Sequence, residues 1–423
     1  MKKQSVLVRM ICASLLIILV AVACAPAPTP APTVAPPTAV PPTVAPAATK
    51  PAATVVPPTV APAATTAPTV APTSAPAATK ETFDLDALVA AAKKEGTLTT
   101  YSTSSRVTTA AANFEKQYGI KVSGTKMGDP EQTERVIRET DSKNVQVDVI
   151  AIEDSATLES KLIPAGYVVS YVPPDLANVI PAKYQSPLIY QLQPRMFGYN
   201  TEVYGDKCPV TNIWQLTEQT WKSKVLMRDP AQTPANVAFF ATLAAQPKLL
   251  EDAYKELYGK PLETKEANAG YEFLKRLAKN DVISMAADGD IGDAVGAAGQ
   301  KQPPLGMYTL TKHRDVKDKN LKIATCRAMQ PFMGYALPTY LVMVKNAPHP
   351  NAAKLFIRFL LTPEGFKPWS DDMGSFSPNP NVPVNPMNEG SWADWEKKLM
   401  PLDLKAAASL GQKVSDFWLT SLK

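Results

Sequence analysis

Five of the six residues in Val147-Asp148-Val149-Ile150-Ala151-Ile152 are apolar. So short and continuous a run suits a strand buried on both faces, as in a parallel sheet covered by helices. The preceding residues read the same way. Residues 98–101 mix β-branched and aromatic side chains and predict a strand. Val107, Ala110, Ala111 and Phe114 then recur at helical spacing, and Tyr118-Gly119 closes that helix. Residues 120–123 predict a second strand and 131–141 a polar helix with Val136 and Ile137 turned inward. Leu158 and Leu162 begin a further helix that Gly166 ends. Strand and helix alternate, which calls for a doubly wound α/β parallel sheet. Ligands of such sheets collect beyond the C-terminal strand ends, where Ser102, Thr103, Ser104, Ser105, Asp154 and Ser155 fall. One of the four hydroxyl residues 102–105 is expected to cap the next helix. A helix start carries positive partial charge and free N–H groups, so this turn is a candidate anion site.

The N-terminal residues have a different composition. Lys2, Lys3 and Arg9 precede an apolar run over 11–23 that ends in Ala21-Val22-Ala23-Cys24. Residues 1–23 read as an export signal, and Cys24 as the lipidated first residue of the mature chain. Residues 24–80 add a Pro/Thr/Ala/Val tether with Lys50 and Lys80 as its only charges. It has almost nothing to bury and reads as a disordered, extended spacer. Removing Lys2, Lys3 and Arg9 lowers the formal charge from +5 to +2. That near-balance argues against a nucleic-acid partner.

The folded part is expected from residue 81. An opening helix over 83–96 is capped by Asp84 or Asp86 and stopped by Gly96. Residues 172–194, rich in proline and tyrosine, read as an irregular crossing region, followed by a short strand over 195–201. Residues 209–301 read as a second α/β lobe, with helices near 212–216, 234–245, 247–257 and 265–279 and strands near 224–227 and 282–285. The Gly/Ala/Asp-rich segment 286–299 lacks the spacing of a phosphate loop. Strands near 305–310, 321–325 and 340–344 precede helices over 350–361 and from 363. Trp369, Trp392, Trp395 and Trp418 are expected to pack. Cys208 and Cys326 either pair or stay reduced and buried. His313 and His349 fall in loop-like sequence and are expected on the surface.

Several phrases carry a resemblance: Leu88 to Gly96 (LVAAAKKEG), Tyr101 to Ser105 (YSTSS), Phe114 to Val122 (FEKQYGIKV), Gly198-Tyr199-Asn200-Thr201, and His349 to Gly365. In that order they resemble the bacterial ABC-transporter solute-binding proteins, in the iron(III)-type branch with polyamine-, thiamine- and phosphonate-binding relatives. The resemblance implies a two-lobed type II periplasmic-binding-protein fold, each lobe a mixed sheet flanked by helices, with a hinge of crossing strands. Its implied boundaries are 81–198 for the first lobe, 199–330 for the second, and 331–423 for a return strand and C-terminal helices. It implies a monomeric, non-enzymatic receptor that captures a small-molecule solute, hands it to permease subunits, and stays outside the cytoplasm on its lipid. It adds Tyr199 and Asn200 to the candidate site, with Tyr308 and Tyr335 beyond. Ferric members use adjacent tyrosines, and no Tyr-Tyr pair occurs here. An anionic solute is therefore expected, with no cofactor. Ferric iron on Tyr199, Tyr308 and Tyr335 is the alternative, and an enzyme or a sensory lipoprotein on the same frame are further ones. Against an enzyme stands the lack of a Gly-x-Ser-x-Gly or His-Glu-x-x-His motif.

Overall fold

The computed structural model describes residues 83–423. The export signal, Cys24 and the tether lie outside the described residues. The sheet has ten strands: β1 Thr97–Ser102, β2 Lys121–Lys126, β3 Val149–Ile152, β4 Val168–Val169, β5 Ile189–Asn200, β6 Val225–Arg228, β7 Ile283–Met285, β8 Leu305–Thr309, β9 Ile323–Thr325 and β10 Gly334–Val344. Their order is β2-β1-β3-β10-β5-β8-β6-β7, with β4 beside β10 and β9 beside β5. β2, β1 and β3 run parallel to one another, as do β8, β6 and β7. The antiparallel pair β5 and β10 joins these two groups. This is the two-lobed type II arrangement, each half a mixed sheet flanked by helices, with crossing strands between them.

The longer helices are α1 Leu85–Glu95, α2 Val107–Tyr118, α3 Asp129–Asp141, α4 Pro234–Ala245, α5 Pro247–Tyr258, α6 Ala269–Lys279, α7 Asp288–Gly296, α8 Pro350–Leu360, α9 Pro363–Ser370 and α10 Leu404–Ser421. Asp84 caps α1 by accepting from Ala87 N at 3.0 Å, and Gly96 ends it in the left-handed region at φ 76°. Phe114 of α2 meets Phe356 and Phe359 of α8 edge to face. Trp214 meets Tyr254 of α5 and Phe273 of α6 in the same way. Such pairs add about 0.5–1.5 kcal/mol to the area they bury. Trp369, Trp395 and Trp418 are buried as expected.

The lone acid in the apolar hexapeptide has a structural task. Asp148 is fully buried and accepts from Thr99 N at 2.8 Å and His349 N at 2.8 Å, with His349 Nδ1 at 3.1 Å. It thereby ties β1 to the start of α8.

Three expectations need correction, and one segment left without an element gains a helix. The crossing strand begins at Ile189, not at residue 195. Its Pro and Tyr residues suggested irregular chain, yet nearly every side chain along it is buried between β10 and its other neighbours, and burial outweighs local propensity. The segment 286–299 contains α7. Neither histidine lies free on the surface: His313 is buried and its pKa falls to about 4 through desolvation, while His349 is half-buried against Asp148. None of residues 102–105 caps α2, whose N-cap position is Arg106. Cys208 and Cys326 form a disulfide.

Candidate functional site

Strand ends from both parallel groups border one cavity of about 490 Å³. The first group supplies Thr103 after β1, Lys126 at the end of β2, Glu153 after β3, and Gly128, Asp129 and Pro130 at the start of α3. The second supplies Arg228 at the end of β6, Thr233, Pro234 and Ala235 at the start of α4, Asp288 after β7, and Thr309 and Lys312 at and beyond the end of β8. Gln193 and Arg195 of β5 and Leu337 of β10 form the floor.

Strand register explains the floor. Gln193 pairs with Leu337, and Arg195 pairs with Tyr335 on one side and Thr309 on the other. Directly opposed residues share a face, so these rows look the same way. Tyr308 pairs with Met196 and takes the other face.

The cavity is rich in charge. Arg195 is 3% exposed, and its Nη2 donates to Asp288 Oδ2 at 3.0 Å. The same oxygen accepts from Thr309 N at 3.0 Å. Arg195 Nε, Arg195 Nη1 and Asp288 Oδ1 have no hydrogen-bond partner among the described residues. Desolvation opposes the Arg195 charge, but Asp288, Tyr335 and Glu153 outweigh it and hold the guanidinium above its ordinary value. On the opposite wall Thr103 Oγ1 donates to Glu153 Oε1 at 3.2 Å, and Glu153 N to Asp129 Oδ1 at 3.0 Å. Burial, then the neighbouring Glu153 charge, pushes Asp129 well above the usual carboxylate range. Burial also raises Glu153, while Arg195 pulls it back. Burial lowers Lys312, helped by Arg314.

Three helices begin at this cavity without a side-chain cap. The N-cap positions are Gly128 for α3, Thr233 for α4 and Ala287 for α7, and none makes a capping bond. Their first-turn N–H groups bring positive partial charge to a cavity that Lys126, Arg195, Arg228 and Lys312 also border, offset at α3 by Asp129 and at α7 by Asp288 in their own first turns. Among the described residues, no group of three or more His, Cys, Asp or Glu side chains is placed to hold a metal ion.

Of the residues expected from the sequence, only Thr103 borders this cavity. Ser102 is buried, and its Oγ accepts from Ser104 N at 3.2 Å. Ser104 Oγ accepts from Arg106 N at 3.3 Å, and Ser105 is exposed. The α2 start already has an anion of the protein's own: Arg106 pairs with Asp372, which Arg314 also holds, at 2.5 Å. Asp154 caps the turn after β3 by accepting from Thr157 N at 3.0 Å, and the Ser155 Oγ is buried without a partner. Tyr199 is buried four residues beyond Arg195, on the order of 13 Å along the strand. Asn200 caps the turn Thr201–Tyr204 and donates to Val295 O at 2.9 Å. Tyr308 is buried over Gly198, where any Cβ would overlap its hydroxyl. Tyr335 donates to Asn236 Oδ1 at 2.8 Å, and its ring centre stands 5.9 Å from the Arg195 guanidinium carbon. Burial raises Tyr199, Tyr308 and Tyr335, which disfavours phenolate.

Glu153 borders the cavity while its expected neighbours Asp154 and Ser155 do not, because alternation does not say which residue of Glu153-Asp154-Ser155 turns inward. Arg228 and Lys312 each follow a predicted strand, and the rule applied to the first lobe would have found them there too.

Residues 109–399 match the family model described as bacterial extracellular solute-binding protein. No curated protein matches the chain. Among solved structures, iron-bound HitA from Pseudomonas aeruginosa is similar at 18% identity and a TM-score of 0.59, covering 77% of this chain and 99% of its own. The ferric binding protein from Campylobacter jejuni shows 17% identity, TM-score 0.59, and coverages of 77% and 99%. The substrate binding protein of an ABC transporter from Agrobacterium tumefaciens shows 14% identity, TM-score 0.57, and coverages of 77% and 94%. At these identities the likeness is one of fold.

Proposed function

The chain belongs to the bacterial extracellular solute-binding proteins, and on that footing we propose that it captures a small anionic solute in the cavity between its two strand groups. In this reading residues 81–198 and 199–330 are the lobes, residues 331–423 pack on both, and closure precedes delivery to an ABC permease. A lipidated Cys24 and the 24–80 tether hold the monomer to the membrane.

One observation carries the reading: a buried guanidinium with two unpartnered N–H directions, at the foot of three uncapped helix starts. A carboxylate, phosphonate or phosphate ester supplies the acceptors that both features lack. Ferric iron is the second reading, since the P. aeruginosa and C. jejuni neighbours are named for iron. Against it, Tyr199, Tyr308 and Tyr335 do not border the cavity. Fe(III) would have to draw its anionic oxygens from Asp129 and Glu153, with Asp288 already engaged by Arg195.

A thermal-shift panel of organic acids, phosphonates, phosphate esters, polyamines and Fe(III), applied to residues 81–423, tests this. A ligand at a hundred times its Kd stabilises by about 2.7 kcal/mol. An anion class is expected to raise Tm. A response to polyamines alone, or to Fe(III) alone, would refute the anion reading.

A further inference from the structure

Arg195 and Asp288 leave hydrogen-bonding atoms of opposite kind unmatched, side by side. Arg195 Nε and Nη1 are buried donors with no acceptor in good hydrogen-bond geometry, although the Tyr335 hydroxyl lies near enough to help hold the charge, and Asp288 Oδ1 is a buried acceptor without a donor. The two side chains are locked together. One oxygen of Asp288 takes both Arg195 Nη2 and Thr309 N, each at 3.0 Å, so the other oxygen is left over. Both side chains border the cavity. Buried polar atoms in native proteins nearly always find partners, and leaving one unpaired is costly.

We infer that the solute carries a hydrogen-bond donor next to its anionic group, and that Asp288 selects for it. The inference rests on the anionic ligand proposed above and narrows its class. Acceptor oxygens of the solute meet Arg195, and an O–H or N–H beside them meets Asp288 Oδ1. An ionised carboxylate can only accept. An anion without a donor therefore sets its own lone pairs and charge against Oδ1. Hydroxy acids, and phosphonates or phosphate esters that keep an O–H, satisfy both atoms. Sulfate and sulfonates satisfy only Arg195. The other cavity carboxylates are partly served by the protein: Glu153 Oε1 has Thr103 Oγ1, and Asp129 Oδ1 has Glu153 N. A site built around a donor rejects an analogue lacking one more strongly than an apolar pocket rejects a change in size.

The test is titration calorimetry on the full chain with methylphosphonate and methanesulfonate at mildly acidic pH. There the first carries one charge and one P–OH, and the second one charge and no O–H. The expected result is methylphosphonate binding tighter by about tenfold or more. Asp288→Asn, which offers N–H where the wild type offers only oxygen, is expected to shrink or invert that ratio. Equal affinities in the wild type, or a ratio unchanged in folded Asp288→Asn, would overturn the role of Asp288 and leave the anion reading standing. Binding of neither anion would overturn both. The wild-type comparison decides the matter even if the variant does not fold.

Discussion

The two walls of the cavity come from equivalent places in the sheet, the C-terminal ends of parallel strands, yet they differ in charge. The wall from β1 to β3 brings Asp129 and Glu153 together, with Lys126 as its cation. The wall from β6 to β8 brings Arg228, Lys312 and two uncapped helix starts, with Asp288 as its one acid, paired to Arg195 of the floor. The same backbone rule builds both sites, and the side chains at the tips decide what each attracts. The proposed anion belongs against the second wall and the floor.

Removing Arg195 should break this contrast most severely. Arg195→Ala leaves Asp288 buried without its partner and is expected to cost about 3–5 kcal/mol in denaturant unfolding, with anion binding lost. A fully stable variant would show that the pair is not buried in solution. Opposite walls should next respond with opposite signs. Arg228→Ala is expected to weaken anion binding about tenfold, or ~1.4 kcal/mol, while Glu153→Gln strengthens it severalfold by removing an opposing charge. Calorimetry giving the same sign for both would erase the distinction between the walls.

The acidic wall also sets a pH dependence. Asp129 and Glu153 titrate above the ordinary carboxylate range, so the native state holds their protons more tightly than the unfolded chain does. Their contribution to stability is present at low pH and is lost as pH rises through the raised values. Sulfate, whose charge is constant there, should bind more tightly as pH falls through that range, with Lys126, Arg195 and Arg228 facing the pair throughout. Asp129→Asn should flatten the profile. The smallest effect is expected at the serine turn. Ser104→Ala loses the bond to Arg106 N and should cost about 0.5–1 kcal/mol without changing affinity.

The first lobe was legible because its strands and helices alternate in long periodic stretches, and α4 lies where its pattern places it, at Pro234–Ala245. The crossing strand was not, because Pro194 and the nearby tyrosines resemble loop chemistry until β10 and its other neighbours bury them. The hydroxyl turn 102–105 reaches the cavity only through Thr103. A helix start with four hydroxyls looks like an anion cradle, but Asp372 already serves Arg106 there. No local pattern in the sequence announces an acid 266 residues further on. Arg195 was visible as the start of a strand, and only register with Thr309 and Tyr335 gives it a face.

Because β10 is bonded to the first strand group, β5 to the second, and the two to each other, the halves share one continuous sheet. A fragment ending between them would carry bare backbone N–H and C=O groups along a seam that the missing strand normally covers, an invitation to pair with other chains. Making the halves separately would therefore yield aggregates, and engineering of one half has to leave the shared ladder whole.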